Sequence, residues 1–194
     1  KNSVTIRGFN ITNSFEWDDP FNSSGIKVQS DSNIIENNLI TESYVGILLE
    51  TANSNMIEGN YIDEVGIGIL LTTSDSNSIN SNTIHSTDDA DIEISRFGYP
   101  SDEASELNTI SDNNEIEKIY FEDSYSNKLM DQEVVTIELV NSVRNSAISS
   151  EYQYVICDAD SSFYLKNFLD INVSRLDEPL ADVDLKVWDG SMIV

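Results

Sequence analysis

The side chains best suited to chemistry in this sequence are carboxylates near its single histidine. His85 is followed by Asp88, Asp89 and Asp91 within one short stretch. Paired carboxylates are what glycoside hydrolysis requires, but neighbouring acids in one loop are more often a solvated turn. Oxygen ligands alone suffice for Ca²⁺. We therefore interpret Asp88, Asp89 and Asp91 as a candidate Ca²⁺ site rather than a catalytic one, with a solvated turn as the alternative, and predict no other cofactor.

A second group of useful residues lies in the segment 12–25, where Trp17 precedes Asp18 and Asp19. An indole ring can stack on the face of a sugar while carboxylates accept hydrogen bonds from its hydroxyl groups. This combination predicts a carbohydrate-binding loop containing Trp17, Asp18 and Asp19. The alternative, which the sequence favours, is that the aromatic residues of this segment cover apolar side chains on neighbouring elements.

Three sequons mark candidate sites of N-glycosylation, which would require an exported chain. Their acceptors are Asn10, Asn22 and Asn172. The chain opens on Lys1 without a signal-peptide-like stretch, as expected of a processed chain or a fragment. Cys157 is the only cysteine, so no disulfide can form within the chain, and we expect it to act as a small hydrophobic residue.

The charge balance limits the classes of partner. Asp and Glu number 35 against 10 Lys and Arg, which gives a formal net charge of −25. Such a charge repels phosphate backbones, anionic membranes and polyanionic substrates, so nucleic acid is not expected as a partner. The sequence also lacks an uninterrupted apolar run long enough to span a bilayer, and we predict no membrane-spanning segment.

An internal repeat organises most of the chain. Residues 32–53 read SNIIENNLITESYVGILLETAN, and residues 54–75 read SNMIEGNYIDEVGIGILLTTSD, each 22 residues long. A third copy occupies residues 76–97, and weaker copies flank these three. Within each copy, apolar residues alternate over short strands separated by Asn, Ser, Asp and Gly. Stacking such strands on their equivalents one coil on predicts an all-β parallel β-helix of about six coils with a continuous core.

The apolar residues that face away from this core need cover of their own. In the second and third coils they are Leu39, Leu48, Met56, Tyr61 and Leu70. These residues are the apolar side chains that the segment 12–25 is expected to cover.

Asparagine recurs at two phases of the repeat. We expect it to supply the left-handed backbone of the corners, and to form hydrogen-bonded ladders between coils. The first phase contains Asn33, Asn55, Asn77, Asn108 and Asn127, and the second contains Asn38, Asn60 and Asn82.

The cadence S-N-x-I-x-x-N-x-I…G-I-x-L resembles the NosD-type repeats of the pectin-lyase-like superfamily, most of all those of archaeal and bacterial surface proteins. The resemblance covers residues 1–140 and implies a right-handed parallel β-helix. It implies no single activity, because this solenoid serves lyases, hydrolases, adhesins and surface-layer proteins alike.

The cadence fades after residue 140. We predict an irregular cap or linker at 141–167 and, at 168–194, a small β segment that resembles the start of an immunoglobulin-like module. Two alternating strands at 168–174 and 183–188 would bury their apolar faces against another chain or a further module.

These observations favour a non-catalytic structural or adhesive protein at the cell surface or in the extracellular space, as part of a surface layer or filament. Its expected partners are other copies of itself, other surface chains and glycans. The alternative is a carbohydrate-binding or carbohydrate-active β-helix whose site is formed by the segment 12–25.

Overall fold

A computed structural model describes residues 3–14, 23–96 and 104–165. These residues form β-strands, turns and bends without a helix, and none of them belongs to an apolar helix of membrane-spanning length. The strands are β1 (Thr5–Arg7), β2 (Asn10–Ser14), β3 (Ser24–Val28), β4 (Ile34–Glu36), β5 (Leu39–Glu50), β6 (Met56–Glu58), β7 (Tyr61–Thr72), β8 (Ser78–Asn80), β9 (Thr83–Ser95), β10 (Thr109–Ser111), β11 (Lys118–Glu122), β12 (Lys128–Met130), β13 (Glu133–Val140), β14 (Asn145–Ile148), β15 (Glu151–Cys157) and β16 (Phe163–Leu165).

The strands form two parallel sheets that the chain visits in turn. Sheet A contains the short strands in the order β1-β4-β6-β8-β10-β12-β14-β16. Sheet B has the order β15-β13-β11-β9-β7-β5-β2, and β3 pairs with β5 beside this path. The long strands β5 and β7 are interrupted by left-handed residues, Glu42 and Glu64, each at φ 53°. Each of these long strands therefore runs around a corner of the coil.

The register confirms the repeat. Ile35 pairs with Ile57 in sheet A, and Ile47 pairs with Ile69 in sheet B, one repeat apart. Because alternate residues of a strand point to opposite faces, this register stacks equivalent apolar side chains inside the coil. The resulting column is fully buried over much of its length and includes Ile35, Ile40, Ile47, Ile57, Ile62, Ile69, Ile79, Ile84, Ile92, Ile110, Ile119 and Phe121.

Two asparagine ladders bind the coils to one another. In each step, the backbone N–H and the side-chain Nδ2 of one residue both donate to the side-chain oxygen of its equivalent in the next coil. Asn38 donates in this way to Oδ1 of Asn60 at 3.0 and 2.9 Å, and Asn60 to Oδ1 of Asn82 at 3.0 and 2.9 Å. This ladder continues through Asn113 to Gln132. The other ladder runs through Asn33, Asn55, Asn77, Asn108, Asn127 and Asn145.

The corner backbone differs from the prediction by one residue. Ser32, Asn37, Ser54 and Ser76 are left-handed, and each stands directly before a ladder asparagine, whereas the ladder asparagines themselves are buried. The left-handed residue at each of these corners is exposed, and the buried Asn that follows it directs its carboxamide into the ladder. The strain of positive φ at Ser is offset by the hydrogen bonds that the next residue makes.

The coils change length along the molecule. The ladder repeats every 22 residues between Asn33 and Asn77. It then repeats after 31 residues at Asn108, after 19 at Asn127 and after 18 at Asn145. Counting each coil from the left-handed residue before its ladder Asn, coil two is 32–53, coil three 54–75, coil four 76–106, coil five 107–125 and coil six 126–143.

The solenoid continues past residue 140, where the sequence cadence fades. β14 pairs with β12, β15 with β13 and β16 with β14, all in parallel. The irregular cap or linker expected at 141–167 is therefore, over its described residues, a further coil. Tyr154 and Ile156 stand at exposed positions of β15. Because apolar residues occupy exposed as well as inward positions there, the alternation of apolar and polar residues seen in the 22-residue repeat is not visible in this part of the sequence. The small β segment expected at 168–194 lies outside the described residues.

Candidate binding groove on the outer face of sheet B

The structure separates the three aspartates predicted to bind Ca²⁺. Asp88 and Asp89 are exposed, whereas Asp91 is buried. His85 lies 3.5 Å from Glu115 through Nδ1 rather than beside these aspartates. No group of three or more His, Cys, Asp or Glu side chains among the described residues could hold a metal ion. The three aspartates are therefore not assembled into the predicted site, because the Asp91 oxygens are buried in hydrogen bonds while Asp88 and Asp89 are exposed.

Asp91 serves the backbone of the next coil. Its Oδ2 accepts hydrogen bonds from the N–H groups of Glu117 and Lys118, at 2.5 and 2.8 Å, and its Oδ1 accepts one from Oγ1 of Thr87 at 2.8 Å. Pairing between β9 and β11 begins only at Ile119. The carboxylate thus satisfies two amides at the start of β11, and its oxygens are occupied.

The other predicted site residues fall partly outside the described chain. Trp17, Asp18 and Asp19 lie outside the described residues, as do Asn22 and Asn172. Asn10 is exposed at the start of β2, a position that a glycosylating enzyme could reach. Glycosylation of Asn10 stays a prediction.

The outward apolar residues of coils two and three divide into two groups. Leu39 and Tyr61 are exposed, but Leu48 and Leu70 are buried and pack with Val45 and Ile67 in a second apolar cluster. This cluster is separate from the core, and its members Leu48 and Leu70 alternate with core residues such as Ile69.

A groove of about 390 Å³ borders this second cluster. Its apolar lining is Ile67, Leu70 and Ala90, and its aromatic lining is Tyr44 and Tyr120. The groove therefore draws residues from coils two, three, four and five, which the parallel register places side by side.

The charged lining of the groove consists of Asp89, Glu93 and Lys118. Glu93 pairs with Leu70 on one side and with Tyr120 on the other. Lys118 extends Nζ to 2.7 Å from Glu138 and 5.2 Å from the centre of the Tyr120 ring. A cation at this distance is attracted by the negative face of the ring.

The groove is electrostatically negative. Burial raises the pKa of the Glu93 carboxyl, a hydrogen bond from Ser95 opposes this shift, and the charges of Glu122 and Asp89 add to it. Burial, followed by the charges of Glu122 and Glu138, raises the pKa of the Tyr120 phenol to about 12. Tyr120 therefore stays neutral at physiological pH and acts as a hydrogen-bonding aromatic surface.

Sequence reasoning did not find this groove. Asp89 was singled out, but as a metal ligand, and Tyr44, Glu93, Lys118 and Tyr120 were not. The aligned repeats carry no signal for Glu93, because Leu48 and Leu70 align with Ile92 in the 22-residue period. A one-residue register shift in β9 brings Glu93 opposite Leu70. The partner from coil five could not be aligned either, because the ladder step from Asn77 to Asn108 is 31 residues instead of 22.

The comparisons with known proteins identify the fold. The model of the family described as the right-handed β-helix region matches residues 1–167. This chain belongs to the right-handed β-helix family. The prediction of a parallel β-helix solenoid of about six coils is thus confirmed.

A solved structure of DFA-IIIase from Arthrobacter chlorophenolicus A6, in complex with GF2, is similar at 15% sequence identity with a TM-score of 0.33. The match covers 75% of this chain and 50% of that one, so the chain spans about half the length of that structure. No curated protein matches the chain at a significant level.

Proposed function

We propose that this chain is a non-catalytic adhesive module of an extracellular or cell-surface protein, and that its groove binds carbohydrate. The observation that carries the proposal is the combination of Tyr44, Tyr120, Asp89 and Glu93 in one groove. Aromatic rings offer apolar faces to sugar C–H groups, and carboxylates accept hydrogen bonds from hydroxyl groups. The stacked ladders hold this surface on a rigid support, as a binding site requires.

The carbohydrate site predicted at Trp17, Asp18 and Asp19 stays a prediction, because these residues lie outside the described residues. The site proposed on sheet B uses the same kind of chemistry with different residues. Self-association through the strands at 168–174 and 183–188, within a surface layer or filament, stays a prediction for the same reason.

The proposal is tested by titrating the chain with a panel of neutral oligosaccharides and measuring heats of binding. Removing the ring in Tyr120→Ala should weaken binding by about 0.5–1.5 kcal/mol, or roughly 2–12-fold. Tyr61→Ala is the matched control, because Tyr61 is 42% exposed on the solenoid surface outside the groove. Equal losses in both variants, or binding by neither the parent chain nor the variants, would contradict the proposal.

The non-catalytic part has its own test, because Asp89 and Glu93 are two carboxylates in one groove and glycoside hydrolysis uses such pairs. Oligosaccharides incubated with the chain should show no new reducing ends. Release of reducing ends that disappears in Glu93→Gln would make the protein a glycosidase instead.

A further inference from the structure

The groove carries negative charge that no ion pair offsets. Lys118 is paired with Glu138 at 2.7 Å, and Arg96 with Asp123 at 2.9 Å. Within 3–14, 23–96 and 104–165, neither Asp89 nor Glu93 takes part in an ion pair. Lys118 also lines the groove and its charge opposes the raised pKa of Glu93, but its ion pair is with Glu138, so the two carboxylates outnumber the one basic group of the lining on a chain that already has a net charge of −25.

One ammonium group already rests on the aromatic lining. Nζ of Lys118 stands 5.2 Å from the centre of the Tyr120 ring, within the range in which a cation is attracted by an aromatic face. The contact shows that the surface formed by Tyr120 accepts an ammonium group. The Tyr120 phenol is itself neutral at physiological pH, since its pKa is raised to about 12, so the contact does not depend on a phenolate charge.

We propose that the ligand of this groove is an amino sugar with a free ammonium group, held by Asp89 and Glu93 while its ring packs against Tyr44 and Tyr120. The proposal rests on the carbohydrate-binding function proposed above and specifies its ligand. A uronic acid is disfavoured because its carboxylate would meet Asp89 and Glu93. A volume of about 390 Å³ lies near the lower end of small-molecule sites, which suits a short sugar segment better than a folded partner.

The test compares three short ligands with the intact chain by titration calorimetry. They are a trimer of glucosamine, the same trimer with every amine acetylated, and a trimer of galacturonic acid. At about 0.01 M salt, where charges act over about 30 Å, the glucosamine trimer should bind about fivefold or more tightly than the acetylated trimer. At about 1 M salt, where the range is about 3 Å, this ratio should approach one.

Variants separate the groove from the overall charge of the chain. Glu93→Gln should reduce the preference for the glucosamine trimer several-fold and leave the affinity for the acetylated trimer nearly unchanged. Glu58→Gln is the matched control, because it removes the same unit charge from β6 in sheet A. Lys118→Gln should strengthen binding of the glucosamine trimer, because it removes the ammonium group that stands on Tyr120. Melting curves establish that each variant is folded.

The outcomes distinguish this inference from the function on which it rests. Equal binding of the glucosamine and acetylated trimers would overturn the amino-sugar assignment but leave carbohydrate binding intact. Binding of neither would overturn both. Tighter binding of the galacturonic acid trimer, equal effects of Glu93→Gln and Glu58→Gln, or equally tight binding of a short lysine peptide would also overturn the assignment.

Discussion

Coils two and three, residues 32–75, share their ladders and core with coils four and five, residues 76–125, but differ in sheet B. In the earlier pair, Gly46 and Gly68 stack so closely that a Cβ at Gly46 would lie 2.5 Å from the Gly68 carbonyl oxygen. In coil four the equivalent position is Asp91, and the equivalent of Leu70 is Glu93. Coil five is shorter, and the pairing of its strand β11 with β9 begins next to the amides of Glu117 and Lys118, whose hydrogen bonds Asp91 accepts.

The difference shows how a repeat acquires a site. Where the period is exact, each outward side chain meets an equivalent apolar neighbour, and the surface is packed like the cluster around Leu48 and Leu70. Where the 22-residue period fails, in coils four and five, a charged or aromatic side chain lies beside an apolar one, and a groove forms between them. The groove occupies this boundary, with Leu70 on one side and Tyr120 on the other.

The largest effect is expected from the regular coils. Ile69 is fully buried and stacks between Ile47 and Ile92, so Ile69→Ala should cost about 2–5 kcal/mol of unfolding free energy through lost contacts and a residual cavity. Glu93→Gln, one coil later in the groove, should change stability by less than a quarter of that, because it removes only a charge that burial disfavours.

Denaturant midpoints with unchanged slopes would measure both values. Equal losses at Ile69 and Glu93 would mean that the groove, and not the regular core, supports the fold.

The scaffold was predictable from the sequence because one constraint repeats. Each coil must bury the same apolar positions over its neighbours, so Ile35, Ile57 and Ile79 reveal their stacking without a structure. The ladders were predictable for the same reason, since Asn38, Asn60 and Asn82 share a phase. The left-handed residues lie one position before the asparagines at which they were predicted. Repeat position alone does not distinguish the residue with positive φ from the neighbouring residue that forms the hydrogen-bonded ladder.

The groove was not predictable because it depends on departures from the repeat. Tyr120 and Leu70 line the same groove only through the register across the 31-residue step from Asn77 to Asn108, and a 22-residue period cannot supply that register. The burial of Leu48 and Leu70 likewise depends on packing outside the core. Asp91 was grouped with Asp88 and Asp89 by proximity in sequence, although its bonds run to the next coil.

A smaller effect is expected from the ladders. Asn60→Ala removes the acceptor of two donors on Asn38 and the donor to the carbonyl oxygen of Ile35. Buried polar groups left unsatisfied in this way should lower the unfolding free energy by about 2–3 kcal/mol in total.

Asn53→Ala is the matched control for Asn60→Ala. Asn53 also connects coils, by accepting the N–H of Asp75 at 2.7 Å, but it is only half-buried, so water can replace the bond. Thermal melts of both variants should show a markedly smaller loss for Asn53→Ala, and a reversed order would contradict a stabilising role for the buried ladder.

The smallest effect, and the one that tests the boundary between the two regions, concerns the pH dependence of stability. Burial raises the pKa of the Asp91 carboxyl above its ordinary value of 3.8, and the hydrogen bonds from Lys118, Thr87 and Glu117 only partly oppose this. The folded chain therefore binds more protons than the unfolded chain between these two pKa values. Stability from this group is fully present below pH 3.8 and is lost as pH rises through the folded pKa.

Asp91→Asn should remove this part of the pH dependence while keeping one oxygen for the amides of Glu117 and Lys118. We expect the stability of Asp91→Asn to be within about 1 kcal/mol of the parent at neutral pH, and Asp91→Ala to lose about 1–3 kcal/mol because two amides lose their acceptor.

The net charge of −25 also favours the folded chain at lower pH, so Glu58→Gln, which removes one charge elsewhere, supplies the baseline. If Asp91→Asn and Glu58→Gln flatten the pH profile equally, Asp91 acts only through the overall charge. A larger loss of unfolding free energy in Asp91→Asn than in Asp91→Ala would show that the carboxylate itself, and not an acceptor in its place, is what the backbone at the start of β11 requires.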